Sequence, residues 1–196
     1  IIPAKKEKES LPHVLEELKN FDCKKKVVLE ESDHETIESI KNYDCEVTFQ
    51  KGKGYGNALI EGINNTDSDL FCIFNADGSF DPKELTNMIN ELRLNNFDFI
   101  FGSRYQKNSG SDDDTAVTYI GNYIFTFLGK FFFNLQLTDI LYTYVLGKTK
   151  SAKKLNLRSN DFTFCVEFPI KAKRGGYNLG TIPSFERSRI GGKKKV

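Results

Sequence analysis

The chain has 196 residues, and its 28 Lys and Arg against 27 Asp and Glu leave a formal net charge of +1. That balance gives no bulk attraction to nucleic acid or to an acidic partner. With 39% hydrophobic and 28% charged residues it is ordinary for a globular protein, long enough for one domain that buries its core without disulfides or metals.

In chain order, strand and helix patterns alternate, which predicts an α/β domain with a mostly parallel central sheet flanked by helices. Ile1-Ile2 ends a first strand. Ser10 is placed to cap a helix with Leu11, Val14, Leu15 and Leu18 on one face. Val27 to Leu29 is a short buried strand, Asp33 a cap for a helix turning Ile37 and Ile40 inward, and Val47 to Phe49 a third strand. The Gly-rich run Gly52-Lys53-Gly54-Tyr55-Gly56 precedes a helix from about Asn57 to Asn64. Leu70 to Phe74 is apolar throughout, as in a strand covered on both faces. Asp81, Pro82 and Glu84 read as N-cap, N1 and N3 of a capping-box-like start, with the helix running to about Leu94. Phe97 to Phe101 is the next strand. After the polar run Asp112-Asp113-Asp114, the stretch Tyr119 to Leu135 is rich in Phe and Ile; a core helix is its default reading. A helix around Phe164 to Arg174 and a strand at Leu179 to Ile182 close the pattern.

The four cysteines, Cys23, Cys45, Cys72 and Cys165, form no C-x-x-C pair and read as reduced thiols, which fits the cytosol. His13 and His34 lie in charged surroundings, which argues against a zinc site. No signal peptide is evident, and no apolar stretch reaches the length of a bilayer span. The abrupt start in a strand and the final Lys193–Lys195 run lead us to expect flanking segments at both ends, with any membrane anchor beyond Val196.

In open α/β sheets ligands bind at the carboxyl ends of strands. Three segments leave strands there: Ala4 to Glu7, Glu30 to Ser32, and Asn75 to Ser79. In the last, Asn75 and Asp77 are alternate residues of an extended segment and present oxygens to one side. A carboxylate with a neutral oxygen suits Mg²⁺ or Mn²⁺ whose other ligands are substrate phosphates. An Asx turn before a capped helix explains the same residues.

Taken together, Ile1-Ile2-Pro3-Ala4 with Glu7, Gly54-Tyr55-Gly56 with Ala58-Leu59, Asn75-Ala76-Asp77-Gly78-Ser79, Gly102-Ser103-Arg104-Tyr105, Thr138-Asp139 and Arg189-Ile190-Gly191-Gly192-Lys193 carry a resemblance. In order and spacing the chain resembles family 2 glycosyltransferases of the GT-A (Rossmann-like) fold, especially the dolichyl- and polyprenyl-phosphate sugar synthases. The resemblance implies a single catalytic domain over 1–196 with a mixed, mostly parallel sheet. It implies an inverting, metal-dependent transfer from a UDP- or GDP-sugar to a lipid-phosphate or glycan hydroxyl acceptor. It places Pro3 and Glu7 beside base and ribose, Glu30 on the base, and Gly54 and Gly56 in the donor loop. Asp77, with Asn75, would hold Mg²⁺ or Mn²⁺ on the diphosphate. Arg104 would face the acceptor, Asp139 would lie near the reacting sugar, and Arg187 and Arg189 would close on phosphate.

The chain also departs from that pattern. Asn75 stands where the family usually has an aspartate, Leu29-Glu30 replaces the usual Asp-Asp, and Tyr55 takes the place of a lysine. Asp112–Asp114 occupies a region where relatives with phosphate acceptors are basic, which brings a hydroxyl acceptor into play. Such an acceptor needs a general base, for which Asp139 is the candidate. A Phe-rich helix with a basic tail predicts association with the cytoplasmic face of a membrane. A sugar-nucleotide-binding module without turnover and a sugar-nucleotidyltransferase are the alternatives. The latter class typically places a Gly-rich loop after strand one, and Pro3-Ala4-Lys5-Lys6-Glu7 has no glycine.

Overall fold

The computed structural model describes residues 1–191. Three short strands, β1 (Ile2–Pro3), β2 (Lys26–Leu29) and β3 (Glu46–Phe49), run parallel in the order β1-β2-β3. Between them lie α1 (Leu11–Glu17) and α2 (His34–Ile40), and α3 (Tyr55–Asn64) leads on to β4 (Leu70–Ile73). The chain continues through α4 (Glu84–Leu94), β5 (Phe99–Ser103), β6 (Gly110–Ser111), α5 (Ala116–Phe133), β7 (Val145–Lys148), α6 (Thr149–Lys154), α7 (Phe164–Arg174), β8 (Leu179–Pro183) and β9 (Phe185–Glu186). The order β4-β7-β5-β8 makes a second sheet segment. The Phe74 amide donates to the Ile1 carbonyl at 2.9 Å and the Ile1 amine to the Cys72 carbonyl at 2.7 Å, so β1 and β4 meet edge to edge.

The sheet is mixed because β7 pairs antiparallel with both β4 and β5, whereas β5 and β8 are parallel. Two apolar clusters cover its faces, which is why the central strands read as unbroken hydrophobic runs. On one face Leu11, Val14, Leu15, Ile40, Met88 and Tyr144 pack around Ile2, Val27 and Leu29. On the other, Leu59, Ile63, Phe164 and Phe168 pack on Phe71, Ile73 and Phe99.

Of the expected caps, Ser10, Asp33 and the Glu84 half of the Asp81 box are used otherwise. Ser10 precedes α1 but makes no cap bond; its hydroxyl donates to Glu7 Oε2 at 2.6 Å. Asp33 precedes α2, yet its carboxylate accepts from the Lys6 amide at 2.6 Å. Asp81 accepts from the Lys83 amide at 2.9 Å, while Glu84 turns to the Ser184 hydroxyl and the Phe185 amide at 2.5 and 2.9 Å. Asp33 and Glu84 thus join separate loops, while the Ser10 and Asp81 bonds stay within their own turns.

The reading of the Phe-rich stretch as a core helix is also corrected. α5 forms, started by a Thr115–Thr118 capping box, but only Asn122 and Gly129 of it are buried. Among the described residues no helix is long and apolar enough to cross a membrane. None of the four cysteines is in a disulfide. The Lys193–Lys195 run lies outside the described residues.

Candidate active site

The turn reading of Asn75–Ser79 is met in the structure. Asp77 Oδ1 accepts from the Ser79 amide at 3.0 Å, which is the Asx turn. Its Oδ2 faces the Arg189 guanidinium at 3.8 Å. Asn75 donates from Nδ2 to Ser79 Oγ at 3.3 Å, so both side chains gather around Ser79. Gly78 has φ +82°, and a Cβ there would strike the Ile190 side chain at 2.4 Å, so glycine is required by conformation and by space.

Glu7 enters from the end of β1. It is buried, its Oε2 accepts from Ser10, and its Oε1 lies 3.5 Å from Arg189 Nη2. It is therefore no solvated charge: Arg189 stands between the carboxylates of Glu7 and Asp77. The late loop is laid along the Asp77 segment by backbone bonds, Ile190 amide to Asp77 carbonyl and Arg187 amide to Ser79 carbonyl, both 2.8 Å. Arg187 itself points away. Its guanidinium is bidentate with Glu17 at 2.9 and 2.8 Å and donates to the Phe80 carbonyl at 2.6 Å, so in this arrangement it anchors the loop.

Glu30 sits at the end of β2, paired with Lys5 at 3.0 Å. It lines an open cleft of about 490 Å³ with Ser32, His34, Gln50, Lys51 and Lys53. Pro3 forms the adjoining edge, in register with Val28 of β2. Gly54 and Gly56 are explained by packing. Added Cβ atoms would lie 2.2 Å from the Asn160 carbonyl oxygen and 2.1 Å from that of Ser159, so the two glycines admit the 159–161 backbone.

Tyr55, between those glycines, is a site residue that the sequence did not single out as one. Its hydroxyl is 2.7 Å from Thr143 Oγ1 and 3.5 Å from Asn75 Oδ1, and its ring stacks on Phe162 at 4.9 Å. Burial raises its pKa well above the ordinary phenol value, so it serves as a neutral hydrogen-bonding group. The available signal was the aromatic residue in place of a cation in the Gly loop.

Arg104 and Asp139 form a second cluster. Asp139 has no exposed side-chain surface, and both of its oxygens accept from Arg104: Oδ2 from Nε at 2.7 Å and the backbone amide at 3.1 Å, Oδ1 from Nη2 at 3.0 Å. Arg104 Nη1 reaches Glu186 Oε2 at 3.0 Å, and the guanidinium lies over the Tyr142 ring at 4.7 Å. Burial works against the Arg104 charge, but the Asp139 bonds outweigh it and hold the group cationic. The expectation of a general base at Asp139 meets a carboxylate already committed to an ion pair. Glu186 went unremarked in the sequence because it joins the cluster only through the β6–β9 pairing.

Among the described residues no three His, Cys, Asp or Glu side chains gather in a way that could cage a metal. One carboxylate beside a cleft is nevertheless the donor set expected when substrate phosphates complete a Mg²⁺ or Mn²⁺ shell. Asp77 Oδ2 fits that part, with the Asn75 amide oxygen as the neutral neighbour.

Residues 1–155 match the profile of glycosyl transferase family 2. The chain is 24% identical over 190 residues to the uncharacterised protein MJ1222 of Methanocaldococcus jannaschii, covering 93% of this chain and 78% of that one. It is 24% identical over 143 residues to the UDP-N-acetylglucosamine--dolichyl-phosphate N-acetylglucosaminyltransferase of Methanococcus voltae, 70% of this chain but only 57% of that relative. Glucosyl-3-phosphoglycerate synthase of Mycobacterium tuberculosis, solved with Mn²⁺ and UDP-glucose, superposes with a TM-score of 0.75 at 12% identity, over 100% of this chain and 71% of that one. Its complex with Mn²⁺, UDP and glucosyl-3-phosphoglycerate gives 0.74 at 13% identity, over 98% and 71%. A GT-A-like sheet and a family match over most of the chain lead to one conclusion: the protein belongs to glycosyl transferase family 2.

Proposed function

We propose that the sheet edge carrying the Glu30 cleft and Asp77 binds a UDP- or GDP-linked sugar with Mg²⁺ or Mn²⁺, and that the enzyme passes the sugar with inversion to a lipid-phosphate acceptor. One observation carries the donor half: the carboxylates of Glu7 and Asp77 converge at strand ends and are bridged by Arg189, a cation already drawn to that point. Pro3, Glu7 and Glu30 border the space for base and ribose; Asp77 and Asn75 would hold the metal. When bound, the divalent ion supplies charge neutralisation for the departing diphosphate. Arg189 is placed to add a guanidinium to the same charge. The M. tuberculosis synthase, crystallised with Mn²⁺ and UDP-glucose, supports this choice of cofactor and base.

The acceptor half follows from Asp139. A hydroxyl acceptor needs a base to take its proton, whereas a phosphate is ionised near neutral pH and needs none. With both Asp139 oxygens bound to Arg104, the arrangement favours the phosphate. Arg104 and Asp139 then act as a positioning pair at the acceptor side. The Methanococcus voltae relative, named for dolichyl phosphate, supports a lipid-linked acceptor, and with it placement at the cytoplasmic face of a membrane.

Thermal shifts with UDP- and GDP-sugars, with and without Mn²⁺, test the donor site, because a ligand of the native state alone raises Tm. We expect a metal-dependent rise that Asp77→Ala abolishes, with turnover reduced at least ~100-fold, as for loss of a transition-state charge partner. Binding without turnover on any acceptor would favour a sugar-nucleotide-binding module. Nucleotide transfer to a sugar phosphate would favour a nucleotidyltransferase. Activity unaltered by Asp77→Ala would refute the site.

A further inference from the structure

α5 is built inside out. Its residues nearest the domain are Asn122, Thr126, Gly129 and Phe133, a seam with spacings of four, three and four. Two of them are polar and tie the helix to the Asp139 loop: Asn122 Oδ1 accepts from the Leu141 amide at 3.0 Å, and Thr126 Oγ1 from the Ile140 amide at 3.3 Å. Gly129 lets Leu135 and Ile140 approach closely. Away from the seam stand Val117, Ile120, Tyr123, Ile124, Phe127 and Phe131, with further aromatic and aliphatic side chains between them; Val117 is 80% exposed and Phe131 71%.

At 3.6 residues per turn this apolar arc covers roughly two thirds of the helix circumference. A soluble helix turns a single apolar stripe inward and polar residues outward. A partner helix would likewise cover one stripe, about a third of the surface. An arc this wide calls for an apolar medium. The helix carries one charged side chain, Lys130, next to the seam, where a long cationic chain reaches phosphate headgroups while its stem stays in hydrocarbon. Tyr123, on the flank between seam and outer arc, suits the polar boundary of a bilayer.

We propose that α5 is the membrane-docking element, embedded in the interface plane of a phospholipid leaflet with its Asn122/Thr126/Gly129 seam toward the domain. The Asp139 loop, hydrogen-bonded to that seam, is thereby held at the headgroup level, and with it the Arg104 side of the site. The inference deepens the lipid-acceptor reading and names the surface that reading lacks.

The chain has no tryptophan, so Phe127→Trp gives a single probe on the outer arc. The full chain is mixed with vesicles of phosphatidylcholine alone or with one quarter phosphatidylglycerol, without donor or metal. We expect co-flotation with the vesicles, stronger with the anionic lipid, a blue-shifted Trp emission, and quenching by bromines placed on the acyl chains. Phe127→Glu with Phe131→Glu should lower partitioning tenfold or more, since each buried aromatic contributes a large part of the binding, while the circular dichroism melt stays unchanged. Absence of flotation on both vesicle types would overturn the proposal. So would a concentration-dependent dimer, seen in sedimentation and lost in the double Glu variant, without vesicle binding. Because no donor is present, failure here leaves the donor site untouched, and loss of the metal-dependent thermal shift leaves the docking result standing.

Discussion

Around Asp77 two carboxylates share one guanidinium at 3.5 and 3.8 Å; around Asp139 one guanidinium is shared by two carboxylates at 2.7 to 3.0 Å. The two clusters lie along one sheet edge, one beyond β1 and β4 and the other beyond β5, and use the same groups. The first is loose, and Arg189 holds its place mainly through its own loop, Nε donating to the Gly191 carbonyl at 2.9 Å. The second is closed, with planar bidentate geometry and an aromatic floor. Loose contacts between charges suit a site where a multiply charged ligand must enter. Tight, buried ones suit a scaffold whose removal is costly.

The sharpest way to break this comparison is Asp139→Asn. Removing one partner of a buried pair costs about 3 kcal/mol or more, so urea unfolding should show a loss of that order. The metal-dependent donor shift should survive in the folded fraction. A loss below ~1 kcal/mol would mean that the cluster is not the structural one.

Arg189→Ala sharpens the other side. With the guanidinium gone from beside Asp77, Mn²⁺ alone should bind several-fold more tightly, a change of ~1 kcal/mol for a partly solvated charge. The nucleoside diphosphate should bind more weakly, since it loses a cation. Parallel titrations by electron paramagnetic resonance and calorimetry read the two effects. Movement of both affinities in the same direction would place Arg189 outside the cleft.

The smallest effect concerns the start of α5. Burial pushes the Asp114 carboxyl up, but hydroxyl bonds from Thr118 and Tyr105 outweigh it and hold its pKa below the ordinary 3.8. A depressed carboxyl stabilises the fold above its unfolded pKa, and that contribution is lost as pH falls below about 3.8. Wild type and Asp114→Asn should therefore differ by less than ~1 kcal/mol at pH 7 and draw together as the pH falls below 3.8, followed by melting temperature. A gap that widens on acidification would reverse the assignment.

Within the run Asp112–Asp114, read from sequence as loop charge, Asp114 thus has a structural role. Asp114 acts through hydroxyls 4 and 9 residues away, and only the fold sets which carboxylate they meet.

Hydrophobic periodicity and turn chemistry determined most elements: β2, β3, α4 and α7 lie within a few residues of their expected bounds, because burial on known faces is written into local spacing. The order of motifs along the chain likewise pointed to the family and to Asp77. Tertiary structure decided the rest. The antiparallel insertion of β7, the diversion of Asp33 and Glu84 from helix caps to loop bridges, the pairing of Arg104 with Asp139 across 35 residues, and the outward aromatic face of α5 all depend on partners distant in sequence. Local pattern records how apolar a residue is. It does not record which surface that residue will meet, and a polar side chain takes whichever partner the assembled strands bring within reach.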